Sequence, residues 1–77
     1  MKITNIEQYI IEQVKKLRIE RGLSQADLAF SMNLSIGFIG KVESTKYNSK
    51  YNLNHINLLS KIFNGSPKYF LPDNYME

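Results

Sequence analysis

Apolar residues recur at helical spacing in four stretches, separated by polar or glycine-bearing breaks. Ile6, Ile10, Val14 and Leu17 form the first stripe, widened by Ile11, with Glu12, Lys15, Lys16 and Glu20 mostly outside it. Thr4-Asn5-Ile6-Glu7 reads as a capping box: the Thr4 hydroxyl can accept from the Glu7 amide while the Glu7 carboxylate reaches back to the Thr4 amide. Gly22 stops this helix, because it can adopt the left-handed conformation beyond the last turn. Ser24-Gln25-Ala26-Asp27 opens a second helix, about 25–31, carrying Leu28, Ala29 and Met32. Asn33, tolerant of positive φ, marks a turn. Ser35 caps a third helix, about 36–44, with Ile36, Phe38, Ile39 and Val42.

From Ser44 to Asn52, Tyr51 included, the chain is polar, rich in turn formers and free of acid, and reads as a surface loop. Leu53, Ile56, Leu59, Ile62 and Phe63 resume a helical stripe, capped by Asn52 or Asn54 and ended by Asn64-Gly65. Ser66-Pro67 opens a last short turn, which Pro72 closes, and Asp73 to Glu77 is expected to fray. The expectation is an all-α bundle of four helices and a short fifth, without strands or repeats. It is a single domain over 1–77, with its core at about 5–71 and a tail at 72–77.

Composition narrows the function classes. With 77 residues there is room for one domain, which buries about 60% of the surface its unfolded chain exposes. An apolar fraction of 43% suits a folded domain rather than a disordered chain. No cysteine is present, so disulfides and thiolate metal sites drop out, and a cytoplasmic location is expected. Glu7, Gln8, Glu12 and Gln13 interrupt the start of the chain, so neither a signal peptide nor a membrane span is expected. His55 is the sole histidine and lacks a second ligand at metal spacing. It reads as an ordinary surface residue near the start of the fourth helix. No nucleophile, base or phosphate-binding loop accompanies it, so no enzyme, cofactor or metal is expected. The net charge of +3 is compatible with a nucleic-acid partner without being diagnostic.

The informative constellation is the pair of short helices joined by a tight turn, a unit whose second helix can lie in the major groove of DNA. Leu23-Ser24-Gln25-x-x-Leu28-Ala29, followed by Leu34-Ser35-x-x-x-Ile39-x-x-Val42-Glu43, resembles the phage-repressor and Cro-like helix-turn-helix family, also called the XRE family. Upstream Leu17-Arg18-x-x-Arg21-Gly22 and the downstream Ile56–Phe63 helix extend the likeness over roughly residues 6 to 71. The resemblance implies a lambda-repressor-like bundle and a sequence-specific transcriptional regulator that binds double-stranded DNA as a homodimer. Small Ala29 would let the two helices approach closely.

By the same resemblance, Arg18 and Glu43 pair across the first and third helices as a structural ion pair, and Gln25 meets a DNA phosphate at the start of the second helix. Base reading falls to Ser35, Ile36, Gly37, Gly40 and Lys41 on the third helix. The following loop, with Lys46, Tyr47, Asn48 and Lys50, lies against the phosphate backbone. One departure stands out: where such proteins usually present Gln, Arg or Asn, this chain has Ile36 and two glycines. Ile36 suits a thymine methyl, and Lys41 a guanine edge or a phosphate. The smooth face also motivates a rival reading, a protein-interaction module or an antitoxin-like protein that keeps the fold and has a protein partner. Tyr69, Phe70, Leu71, Tyr75 and Met76 are apolar for a chain end; Phe70 is expected in the core, and the rest suit a dimer patch.

Overall fold

The computed structural model describes residues 3–77. Among them every regular element is helical: α1 (Asn5–Glu20), α2 (Gln25–Met32), α3 (Ile36–Glu43), α4 (Leu53–Ile62) and a 3-10 helix at Pro67–Phe70. Local chemistry fixes most of these boundaries. Thr4 and Glu7 close a reciprocal capping box at α1, and Ser24 and Asp27 close another at α2. Ser35 caps α3, its hydroxyl accepting from the Phe38 amide at 3.2 Å. Gly22 leaves α1 at φ 70°, and Asn33 ends α2 in the left-handed region at φ 57°.

The fourth helix is capped by Asn52, and its box is completed by His55. Asn52 Oδ1 accepts from the His55 amide at 2.8 Å, and His55 Nδ1 accepts from the Asn52 amide at 3.0 Å. An imidazole therefore takes the place usually filled by Glu or Gln. The ring also packs against Phe38 of α3, centroids 5.3 Å apart, and Tyr51, 6.0 Å apart. His55 is thus half-buried rather than an ordinary surface residue.

One apolar core joins the elements: Ile10, Ile11, Val14 and Leu17 of α1, Leu28, Ala29 and Met32 of α2, Ile39 and Val42 of α3, Ile56 and Leu59 of α4, then Phe63 and Phe70. Buried Ala29 lies on the α2 face turned to the core, and α2 packs chiefly on α3 and α4. Two further expectations fail. Tyr51, assigned to a surface loop, is only 6% exposed and belongs to the core. Leu53, counted in the α4 stripe, is 79% exposed, because it stands at the first helical position, where the core does not extend to meet it. The end of the tail, 73–77, is largely exposed and lies beside α1, where Asn5 Nδ2 donates to the Glu77 carbonyl at 2.8 Å.

Candidate nucleic-acid interface

The three-residue turn Asn33-Leu34-Ser35 swings the chain from α2 into α3. Its left-handed residue lets the Leu34 amide reach back to the Ala29 carbonyl at 2.9 Å, and half-buried Leu34 packs against the core. Ile39 and Val42 anchor α3 inward. The helical period then turns Ile36, Gly37 and Lys41 outward, and all three are exposed.

Arg18 and Glu43 meet across α1 and α3. Arg18 Nε donates to Glu43 Oε2 at 2.9 Å and Nη2 to Oε1 at 2.8 Å, a two-pronged fork. The Glu43 side chain is 3% exposed and that of Arg18 11%. A third donor of the guanidinium, Nη1, reaches the Leu23 carbonyl at 2.7 Å. The pair therefore ties the end of α3 to both α1 and the segment entering α2. A charge buried this deeply is tolerated because each oxygen is occupied.

Gln25, half-buried at the first position of α2, joins this cluster: its Nε2 donates to Glu43 Oε1 at 3.1 Å. Nothing in the sequence pattern disclosed that bond. Nε2 carries two hydrogens, so one donor remains for a ligand. Ser35 is exposed, with its oxygen accepting from the Phe38 amide and its O–H left to donate.

The segment after α3 divides. Lys46, Tyr47 and Asn48 are exposed, and the Lys41 ammonium lies 5.5 Å from the centre of the Tyr47 ring, joining helix and loop in one basic, hydrogen-bonding surface. Lys50, expected to grip a phosphate with them, is also exposed, and its Nζ lies 3.2 Å from Glu7 Oε2 of α1 in a surface ion pair. Glu7 is held below its ordinary pKa, first by the Thr4 amide of its capping box and then by Lys50. An open cleft of about 320 Å³ lies between this loop and the start of α1, lined by Ile3, Gln8, Ser44, Thr45, Tyr47 and Asn48.

Behind the surface, Tyr51 carries the one buried side-chain polar atom without a hydrogen-bond partner among the described residues, its phenolic oxygen. Burial, followed by the Glu43 charge, pushes its pKa well above the ordinary 10.0. Its ring meets Phe38 edge-on at 6.2 Å, so Tyr51 braces α3 from the inner side. The described residues hold no cluster of three potential metal-ligating side chains, and no helix long and apolar enough to cross a membrane. No protein family, no curated protein and no solved structure matches the chain.

Proposed function

We propose that this protein is a sequence-specific DNA-binding transcriptional regulator of the phage-repressor and Cro-like type, a lambda-repressor-like domain acting as a cytoplasmic homodimer. The observation that carries the reading is α3 itself. Its inner residues Ile39 and Val42 are buried, its outer residues Ile36, Gly37 and Lys41 are exposed, and its only carboxylate, Glu43, is neutralised by Arg18. Such a helix can enter the major groove without presenting an unpaired negative charge to DNA.

Gln25 and the Lys46–Asn48 segment flank α3, suited to hold the phosphates while α3 meets base edges. The longest dimension of the molecule is 32 Å, so two copies side by side can set their third helices one turn of DNA apart, about 34 Å. Fluorescence anisotropy on a labelled duplex pool, comparing the wild type with the Lys41→Glu/Lys46→Glu variant, tests the phosphate and groove assignment. Loss of binding in the variant, with helicity unchanged, supports it; equal affinity overturns it.

One observation favours a second reading. Phe30 on the outer face of α2 is 88% exposed and Ile36 57%. A protein partner, as for an antitoxin-like protein or an interaction module, would use such apolar side chains. In that case the Phe30→Ser variant loses the partner and keeps any DNA affinity.

A further inference from the structure

Gly40 sits inside α3, facing a side chain of the neighbouring helix. A Cβ built on Gly40 would lie 3.5 Å from Gln25 Oε1, which is ordinary contact, so the position has room for a methyl group but is closed to a bulky side chain as long as Gln25 stays where it is. The same amide is held at its other end by Glu43, which accepts from Nε2 at 3.1 Å. Glu43 is in turn gripped by Arg18, so it is a fixed acceptor.

We infer that Gly40 is the seat of the Gln25 side chain. A residue no larger than alanine at position 40 lets Gln25 lie across α3 and hang its amide from Glu43, which fixes the direction of the one remaining N–H. A carboxylate can only accept, so the amide nitrogen must face Glu43 and the oxygen must face Gly40. The orientation of the amide is therefore set by chemistry. Glu43 and Gly40 act as positioning residues, one by holding the amide and the other by leaving room for it. Preorganising a donor in this way lowers the cost of ordering a long side chain when a phosphate arrives. The functional half of the inference rests on the DNA-binding reading above; the geometric half stands without it.

Side-chain size at position 40 supplies the test. A methyl group at 3.5 Å makes ordinary contact, so Gly40→Ala leaves Gln25 in place. Gly40→Ile is stiff at χ1 and puts two branches into the same space, so it evicts the amide. Both variants replace a residue of low helix propensity, so neither weakens α3 itself. The first readout needs no DNA: the Gln25 side-chain amide protons in an NMR exchange experiment. The proton bonded to Glu43 is expected to be protected in the wild type and Gly40→Ala and to exchange freely in Gly40→Ile. Equal exchange in all three overturns the seat.

The second readout is a double-mutant cycle on DNA affinity. Gln25→Ala and Gly40→Ile are each expected to weaken binding about tenfold, the size of one hydrogen bond to a charged group. The double variant is expected to bind no worse than either single one. A further loss in the double variant means that isoleucine clashes with DNA directly and overturns the positioning role. If the wild type binds no duplex while Gln25 remains protected, the DNA-binding reading fails and the seat stands.

Discussion

Arg18 holds Glu43 in a fork of two bonds, 2.9 Å from Nε and 2.8 Å from Nη2, and this contact joins the first helix to the end of the third. Glu43 also accepts from Gln25, so a single carboxylate of α3 gathers side chains from the two other helices, α1 and α2. Removing it leaves the guanidinium with only the Leu23 carbonyl. Glu43→Ala is expected to cost about 3–5 kcal/mol, as breaking a buried pair from one side does. Replacing both partners with leucine is expected to cost less than that single change, because no charge is then left unpaired. Urea unfolding of the two variants checks the order; a milder effect of Glu43→Ala than of the double replacement contradicts it.

Tyr51 contributes a ring to the core but an orphan hydroxyl beside it. Tyr51→Phe keeps the edge-on packing with Phe38 and removes the unsatisfied oxygen. Leaving a buried polar group unpaired costs about 1–3 kcal/mol, so the variant is expected to be at least as stable as the wild type. A fall in the urea midpoint would show that the hydroxyl has a partner in solution.

His55 makes stability depend on pH near neutrality. Burial holds its pKa below the ordinary 6.5, and Nδ1 must be unprotonated to accept from the Asn52 amide. The folded state therefore prefers neutral imidazole with its proton on Nε2. Stability is full above the unfolded value near 6.5 and falls as the pH drops through it toward the lower folded value. Glu7 and Asp27, whose pKa values lie below the ordinary 4.5 and 3.8, act at lower pH, so the two effects separate. His55→Gln keeps an acceptor at the same capping position and cannot titrate. Between about pH 7 and pH 5 the wild type is expected to lose stability and the variant to stay level. Thermal melts across that range decide; parallel curves would clear His55 of the effect.

The basic residues should differ in weight. Lys41 and Lys46 face outward, whereas Lys50 is paired with Glu7. On the DNA-binding reading, Lys41→Ala and Lys46→Ala are each expected to lower the salt dependence of binding by about one phosphate contact. Lys50→Ala is expected to change it less. Titrations at several salt concentrations measure the slopes, and a full unit lost from Lys50→Ala would show that the bridge to Glu7 opens on DNA.

The helical frame was legible because its punctuation is local. Thr4 with Glu7, Ser24 with Asp27, and Asn33 in the left-handed region act within one turn of the backbone, and each sits where the spacing of residue types put it. What the sequence hid depends on approach in space. Tyr51 lies in a polar run, and only the arrival of Phe38 and His55 makes its position a core position. Lys50 looks like its loop neighbours until α1 brings Glu7 beside it. Gln25 offers no local sign that it reaches Glu43 over Gly40, because that path exists only once α2 and α3 are packed. Leu53 misled in the opposite direction, since periodicity counts a residue at a helix end as if the core extended to meet it.

Selection from a pool of random duplex DNA, followed by sequencing of the bound fraction, tests the central claim most directly. The account predicts an enriched, roughly palindromic motif with half-sites one helical turn apart, bound more weakly as salt rises. Absence of binding at low salt would contradict it and leave the exposed Phe30 and Ile36 as the surface to be explained by a protein partner.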